Sequence, residues 1–274
     1  MLQPLTVKLL DFALGLADSV RGVVKETEKR SDAAEIVGFT ELDVTRKVDR
    51  MAEDEAIKHV RDSGVNALFI GEESPPQSIG SNPDIIVILD PLDGSNNFVR
   101  GIPFSSVSVA LASPGDEGTV DPFIGVVKDV ARGDVYYAEK GKGAYLNGSR
   151  LYRSIMDLRD KPLISLYTYG SSVGEEAALH TIRLNSRCNL RTLGSMALEL
   201  CYLASSRLDG IVDIRGMLRL QDIAAGKLIL EEAGCTIADG DGRPLDLRIN
   251  HRYGIVAADS EERLKWLLGL LEPT

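Results

Sequence analysis

The spacing of apolar residues predicts two helices at the start of the chain, followed by a sheet. Hydrophobic positions recur with helical periodicity over 5–24 and 44–60, and Asp43 lies where a side chain can cap the second helix. The polar segment 25–38 between them predicts a loop, as does 75–83. Short apolar or alternating runs bounded by turn residues then predict a mostly antiparallel sheet. Its strands are expected at 67–70, 85–89, 104–112, 123–130 and 135–139.

The pattern changes near residue 150, where helices and strands begin to alternate. Such alternation is typical of an α/β unit, and 274 residues suffice for one large domain or two medium ones. We therefore expect an α+β half over 1–150 and an α/β half over 151–274, sharing an extensive interface. Helices are expected at 174–184, 196–205, 220–232 and 261–271. Strands are expected at 163–169, 210–214, 236–238 and 255–258.

Composition and charge narrow the classes of function. The formal net charge is −10, from 31 basic and 41 acidic residues, and no lysine or arginine run occurs, which argues against a nucleic-acid partner. Three cysteines without a Cys-x-x-Cys pattern indicate a reducing, cytoplasmic setting with no disulfide framework and no zinc site. No apolar run approaches the roughly 18 residues of a membrane span, and no signal peptide is expected.

A candidate site lies where the apolar run 85–89 ends in Asp90-Pro-Leu-Asp93-Gly-Ser95. Two carboxylates at the end of a buried strand repel each other unless a cation lies between them, and a Gly-Ser turn offers amide donors to an anion. The preceding apolar run likewise ends in Gly-Glu72-Glu-Ser. If the two strands are neighbours in one sheet, Glu72, Asp90 and Asp93 point to one place. The residues therefore suggest metal and phosphate binding in one site.

Other motifs are better explained without special chemistry. Cys201 and Arg207 have the spacing of a cysteine phosphatase loop, but the residues between them continue an amphipathic helix without glycine, which favours a core cysteine. Leu92 stands where haloacid-dehalogenase phosphatases need a second aspartate, so that motif is incomplete.

A set of carboxylates without histidine or cysteine favours Mg²⁺ or Mn²⁺, and Asp222 is a candidate to join Glu72, Asp90 and Asp93 in this set. For Asp222, and also for Asp49, a capping residue or a solvated helix charge remains an alternative at this point.

Three segments, in this order, resemble the signatures of the inositol monophosphatase family of Mg²⁺-dependent, lithium-sensitive phosphatases. They are Gly71-Glu-Glu-Ser74, Asp90-Pro-Leu-Asp-Gly-Ser-Asn-Asn-Phe98 and Asp222-Ile-Ala-Ala-Gly226, and segments 141–148 and 193–197 also fit. Within the family, Asp213-Ile-Arg-Gly-Met-Leu-Arg219 looks most like archaeal enzymes that hydrolyse both inositol 1-phosphate and fructose 1,6-bisphosphate. The resemblance covers nearly the whole chain. It implies an α+β fold of the sugar-phosphatase type, an αβαβα five-layer sandwich.

The resemblance also implies a role for each matching residue. Two or three Mg²⁺ ions, or Mn²⁺, would be bound by Glu72, Asp90, the Leu92 carbonyl, Asp93 and Asp222, with Asp49 helping to hold the third. Catalysis would use Asp49 together with Glu72 and the Ser95 hydroxyl, the last two orienting the attacking water. The amides of Gly94 and Ser95 would hold the phosphate. Contacts to the substrate would come from Asp93, Gly194, Ser195 and Asp213. A second phosphate would contact Arg191, Arg215 and Arg219, although a surface ion pair is the simpler interpretation of each arginine.

Two departures from the family pattern qualify the resemblance. Gln221 replaces a usual tryptophan beside Asp222 and weakens a claim of strict inositol specificity. Ser95 replaces the usual threonine, and the rotamer of a serine hydroxyl is less restricted.

We expect Mg²⁺-dependent hydrolysis of a small sugar or polyol phosphate, first of all inositol 1-phosphate and fructose 1,6-bisphosphate, by a cytoplasmic homodimer. The rivals are a 3′-phosphoadenosine 5′-phosphate or NADP(H) phosphatase on the same scaffold and, from another class, a protein-binding regulatory relative.

Overall fold

The computed structural model describes residues 3–30, 32–39, 44–152, 161–168 and 174–271. Its earlier elements are α1 (Gln3–Thr27), β1 (Ile36–Phe39), β2 (Val44–Arg46), α2 (Lys47–Ser63), β3 (Ala67–Ile70), β4 (Gln77–Ile79), β5 (Ile85–Asp93), α3 (Ser95–Val99), β6 (Ser106–Pro114), β7 (Val120–Asp129), β8 (Val135–Glu139), β9 (Gly143–Leu146) and β10 (Ser149–Arg150). The later ones are β11 (Leu163–Tyr167), α4 (Gly174–Arg187), β12 (Asn189–Arg191), α5 (Met196–Ala204), β13 (Gly210–Leu218), α6 (Leu220–Glu232), β14 (Thr236–Ala238), β15 (Tyr253–Ala258) and α7 (Glu261–Leu271). In the described ranges, no helix combines the length and the apolar character needed to cross a membrane.

The larger of the two main sheets has eight strands, in the order β10-β9-β8-β7-β6-β5-β3-β4. Its neighbouring strands run antiparallel except β3 and β5, which are parallel, with Ile70 opposite Ile88. The predicted mostly antiparallel sheet and the predicted pairing of these two strands are therefore confirmed. Parallel neighbours end at the same edge of a sheet, so Glu72 and Asp90, each two residues beyond this pair, leave the sheet side by side.

The smaller main sheet has five strands, in the order β12-β11-β13-β15-β14. Strand β11 is parallel to both β12 and β13, whereas β15 is antiparallel to both β13 and β14. Helix α5 precedes β13 in the chain, and α6 follows it. The alternation of helices and strands predicted for the second half is thus confirmed.

The helices form three layers around the two main sheets. Helices α1 and α2 pack on one face of the large sheet, where Leu16 and Val20 join Phe69 and Val109 in a buried core. Helices α5 and α6 lie between the sheets, in a second core that joins Ile88 of the large sheet to strands of the small one. Helices α4 and α7 cover the outer face of the small sheet. This order of layers confirms the predicted αβαβα sandwich.

Some local predictions were wrong. Segment 25–38 is not simply a loop, because α1 continues to Thr27 and β1 pairs antiparallel with β2. The expected loop 75–83 contains β4, which pairs with β3, and β5 continues to Asp93 through an irregular register. Strands of three or four residues depend on their partners, so their local sequence carries little signal. Helix α2 begins at Lys47, and its expected cap, Asp43, lies outside the described residues.

Candidate active site

A cavity of about 280 Å³ opens where the ends of β3 and β5 meet the first turns of α5 and α6. Ten of the residues singled out in the sequence line it: Glu72, Asp90, Leu92, Asp93, Gly94, Ser95, Gly194, Arg215, Arg219 and Asp222. The segments that supply them lie up to 150 residues apart in the chain and come from both main sheets. The fold therefore brings most of the predicted site into one place.

Asp93 is held from the second half of the chain. Its carboxylate accepts hydrogen bonds from the Ser195 hydroxyl at 2.7 Å and from the backbone amides of Met196 at 3.2 Å and Ala197 at 2.8 Å. Burial raises the pKa of Asp93 to about 7, although the Ser195 hydrogen bond opposes that rise. Ser195, expected to contact substrate, is itself fully buried beneath Asp93. These neutral donors fix the Asp93 carboxylate without cancelling its charge.

Asp90 is anchored within its own turn. Its Oδ1 atom accepts a hydrogen bond from the Leu92 amide at 2.9 Å, and its side chain is 2% exposed. Burial raises the pKa of Asp90 well above its usual range, and the nearby charges of Glu72 and Asp93 raise it further. Such mutual repulsion makes the fully ionised cluster costly unless a positive charge is added.

Glu72 links the two sides of the cavity. Its carboxylate forms an ion pair with Arg219, which lies 147 residues away in the chain. Burial nevertheless raises the pKa of Glu72 to about 8, against the opposing effect of the Arg219 charge. The backbone here is anchored by Glu53 of α2, whose Oε2 atom accepts from the amides of Glu72 and Glu73, both at 2.8 Å. A Cβ atom at Gly71 would lie 2.2 Å from that oxygen, which explains the glycine.

Asp222 lies in the first turn of α6. Its Oδ2 atom accepts a hydrogen bond from the backbone amide of Arg219 at 2.7 Å, so the side chain does close the start of the helix. It also faces the cavity, and burial raises the pKa of Asp222 while its contacts with Arg219 oppose the shift. Asp222 therefore both caps the start of α6 and lines the cavity.

The turn after Asp93 depends on glycine. Gly94 has φ 87°, and a Cβ atom there would lie 2.9 Å from the carbonyl oxygen of Gly194. This left-handed conformation and close approach both favour glycine. Ser95 then begins α3, and the first amides of a helix have no acceptor inside it. Gly94 and Ser95 both line the cavity.

The remaining predicted residues have varied positions. Asp49 is buried, accepts from the Arg46 amide at 3.0 Å, and raises the pKa of Glu72 through its charge. Asp213 is fully buried and pairs with Arg215 at 2.6 Å. Arg191 is exposed on edge strand β12, where it donates to the Leu190 carbonyl at 2.7 Å. It does not line the cavity.

Four side chains, Glu72, Asp90, Asp93 and Asp222, are called here the carboxylate cluster. Among the residues that the structure describes, no three carboxylate, imidazole or thiol groups converge as a ready set of metal ligands. Glu72 is turned toward Arg219, and Asp93 is turned toward α5. The donors still fit a hard divalent cation, because all are oxygens and burial disfavours their charged forms. Full use of Glu72 as a ligand requires its pair with Arg219 to open.

Three residues at the site were missed in the sequence. Glu53 lies on the same helical stripe as Ile57 and Val60, and a glutamate among apolar positions was an available signal. Glu199 is buried and accepts from the amides of Leu193 and Gly194 at 3.1 and 2.9 Å. The third residue, Arg46, hydrogen-bonds to Ser95. For Glu199 and Arg46 the sequence held no clear signal, because their partners are remote.

Comparison with known proteins agrees with the fold and the cavity. A model of the inositol monophosphatase family matches residues 5–272. A fructose-1,6-bisphosphatase/inositol-1-monophosphatase of Methanothermobacter thermautotrophicus is 35% identical over 274 residues, 95% of each chain. A fructose-1,6-bisphosphatase of Pyrococcus furiosus is 40% identical over 84% of each chain. A Pyrococcus horikoshii structure, described as a hypothetical protein with similarities to inositol-1 monophosphatase, has TM-score 0.80 at 34% identity, covering 96% of this chain and 98% of that one.

The fold and these relatives define a phosphoric monoester hydrolase. The chain belongs to the inositol monophosphatase family, whose members are generally Mg²⁺-dependent and act on phosphorylated sugars or polyols. Relatives with other names also match. A bifunctional NADP phosphatase/NAD kinase of Methanococcus maripaludis is 33% identical, but this chain spans 49% of its length. A Nus factor SuhB of Pasteurella multocida is 31% identical over 97% of this chain and 96% of its own.

Proposed function

We propose that this protein hydrolyses small sugar and polyol phosphate monoesters in a Mg²⁺-dependent reaction, with fructose 1,6-bisphosphate and inositol 1-phosphate as its substrates. The observation that carries this proposal is the carboxylate cluster bordering the same cavity as Gly94 and Ser95. The names of the archaeal relatives support the choice of substrates.

The carboxylate cluster and the Leu92 carbonyl would hold two Mg²⁺ ions, with Asp49 supporting a third, and Mn²⁺ could replace them. When bound, such ions supply Lewis-acid polarisation of the phosphoryl group and lower the pKa of water. Neutral donors, rather than cations of the protein, hold Asp90 and Asp93 beside the cavity. Glu72 would have to give up its guanidinium partner, Arg219, to serve as a full ligand.

The remaining groups bind substrate and guide the water. The amides of Gly94 and Ser95 hold the phosphate, while the Ser95 hydroxyl and the Glu72 carboxylate orient a water molecule on the side of phosphorus opposite the ester oxygen. Attack by that water forms one P–O bond and breaks the bond to the alcohol, which takes up a proton on leaving. Asp93 and Gly194 line the cavity where the sugar ring would lie. Ser195 and Asp213 are fully buried and would act on the substrate only through their partners, Asp93 and Arg215. Arg215 and Arg219 are available to a second phosphate once their ion pairs open.

Phosphate release from a panel of esters tests this proposal. The panel contains fructose 1,6-bisphosphate, inositol 1-phosphate, 3′-phosphoadenosine 5′-phosphate and NADP, each assayed with Mg²⁺, with Mg²⁺ plus Li⁺, and with excess EDTA. We expect the first two esters to be hydrolysed fastest, with inhibition by Li⁺ and loss of activity in EDTA. Full activity in EDTA would contradict the metal requirement. A preference for NADP or the adenosine phosphate would replace the substrate assignment.

A regulatory role through protein binding is the second candidate, because a relative of similar length is named a Nus factor. The complete carboxylate cluster favours the enzyme, since a purely protein-binding relative has no need to keep four carboxylates together beside one cavity. Affinity capture with the purified protein tests this rival. A captured partner together with absence of phosphate release from every ester would favour the regulatory role.

We also propose that the protein is a cytoplasmic homodimer. Sedimentation measures its oligomeric state.

A further inference from the structure

Arg46 lies at the end of β2, immediately before α2, and its side chain reaches the turn beside the cavity. Its guanidinium donates to the Ser95 hydroxyl oxygen at 3.2 Å and to Oδ1 of Asn96 at 2.7 Å. Its backbone amide donates to Oδ2 of Asp49 at 3.0 Å. The residue is only 9% exposed. One buried arginine thus connects the start of α2 to the residues that begin α3.

The guanidinium has unusual partners for a buried arginine. Taking a cation out of water costs several kcal/mol unless it is paired, and buried arginines usually face a carboxylate. Arg263, which is also buried, follows that rule with Asp259, and the half-buried Arg215 and Arg219 pair with Asp213 and Glu72. Arg46 forms no ion pair with any carboxylate in the described ranges, and both of its side-chain acceptors are neutral oxygens beside the cavity. Arg21 also donates to neutral oxygens, the carbonyls of Asp129 and Val130, but of these two arginines only Arg46 has acceptors that line the cavity.

The hydrogen bond to Ser95 has a chemical consequence. A serine hydroxyl has one proton and two lone pairs, and it rotates among three staggered positions. A guanidinium only donates, so it occupies a lone pair of Oγ and leaves the serine proton free to point elsewhere. We propose that Arg46 is a positioning residue that holds the Ser95 hydroxyl in one rotamer, with its proton available to the reacting groups. The inference rests on the proposed function of the same site.

A double-mutant cycle between Arg46→Met and Ser95→Thr tests the inference. Methionine keeps a stem similar to that of arginine and removes every side-chain N–H donor. Threonine keeps the hydroxyl and restricts its rotation through the added methyl group. Arg46→Lys retains a donor and provides a second variant if methionine disturbs folding. Arg50→Gln is the matched control, since Arg50 is an exposed arginine four residues further on, in the first turn of α2. Thermal unfolding, kcat and KM for fructose 1,6-bisphosphate, and inorganic phosphate affinity with Mg²⁺ are measured for every variant.

We expect Arg46→Met to lower kcat by about 10- to 100-fold, the range typical of groups that orient a reacting residue, with KM and phosphate affinity changing by less than about threefold. Arg46→Lys should retain an intermediate kcat, and Arg50→Gln should match the wild type. In the Arg46→Met background, Ser95→Thr should recover about tenfold in kcat, so that the two changes are strongly non-additive.

Three results would overturn the inference. One is an unchanged kcat in both Arg46 variants. Another is strict additivity of the Arg46 and Ser95 changes. The third is a loss confined to KM and phosphate affinity, because that pattern identifies a direct contact with the substrate. Wild-type phosphate release separates the two proposals: an inactive wild-type protein overturns the proposed function and this inference together, whereas an active one with any of the three results overturns this inference alone.

Discussion

The two sides of the cavity hold their charged groups in different ways. On the side formed by the end of β5, Asp90 and Asp93 accept hydrogen bonds from backbone amides and a serine hydroxyl. On the side formed by β13 and the start of α6, Arg215 and Arg219 are each paired with a carboxylate. One side therefore fixes its charges with neutral donors, while the other fixes them by mutual neutralisation.

This difference determines what each side can bind. A carboxylate held only by neutral donors has no counter-charge and, once ionised, attracts a cation, whereas a paired guanidinium attracts an anion only after its pair opens. Glu72 belongs to the carboxylate cluster but is paired with Arg219 of the opposite side. If the proposed function holds, a cation that binds Glu72 would also release Arg219 for an anion. The Glu72–Arg219 ion pair is therefore the contact through which we propose that the two sides are coupled.

The largest effect is expected from Asp93→Asn, which removes charge from the side held by neutral donors while preserving size. We expect kcat/KM for fructose 1,6-bisphosphate to fall by about 10²–10³-fold, with weaker Mg²⁺ binding, because a buried anionic ligand is lost. Steady-state kinetics and titration calorimetry with Mg²⁺ measure both quantities.

Ser195→Ala is the control for Asp93→Asn, since it removes a neutral anchor and leaves the Asp93 charge in place. Its effect should be roughly tenfold, near the lower end for groups that orient a ligand. Equal losses in the two variants would show that anchoring matters more than charge. Unchanged Mg²⁺ affinity in Asp93→Asn would remove Asp93 from the ligand set.

The next largest effect is expected at Glu53, which holds the backbone of Glu72 and Glu73 with one carboxylate oxygen. Glu53→Gln replaces a doubly accepting anion with an amide and should lower kcat/KM by roughly 10- to 100-fold. The free energy of unfolding should fall by about 1–3 kcal/mol. Denaturant unfolding and kinetics measure the two changes. Asp54 is an exposed neighbour on α2, and Asp54→Asn should change neither quantity. If Glu53→Gln kept the activity and stability of the wild type, the backbone after β3 would be fixed without Glu53.

Sequence reasoning found the charged residues of the site more readily than their partners. Strands β3 and β5 end in acidic motifs, and parallel pairing necessarily brings those ends together, so the carboxylate side was predictable. The pair between Glu72 and Arg219 spans 147 residues and depends on side-chain rotamers, which no local pattern encodes. The layer order followed from the family resemblance, whereas β1 and β4 are too short to be recognised without their partners.

A smaller effect of opposite sign is expected from Arg219→Gln, which tests the coupling between the two sides. Mg²⁺ and the guanidinium compete for Glu72, so removing the guanidinium should tighten Mg²⁺ binding. The pair is partly exposed, with side-chain exposures of 17% and 20%, so we expect only about a three- to tenfold gain in affinity by calorimetry. Substrate KM should rise in the same variant if Arg219 contacts a second phosphate. Weaker Mg²⁺ binding would contradict competition and would show that Arg219 supports the metal side.

The smallest effect is expected at Arg191, which the sequence grouped with Arg215 and Arg219 as a contact for a second phosphate. Its exposed side chain lies on the edge strand β12 and donates to the carbonyl of the adjacent Leu190, away from the residues that line the cavity. Arg191→Gln should therefore leave KM for fructose 1,6-bisphosphate within about twofold of wild type, as is usual for an exposed charge. Inositol 1-phosphate, which has a single phosphate, provides the internal control. A KM that rises tenfold for the bisphosphate alone would extend the substrate side of the cavity to β12 and restore the sequence-based assignment.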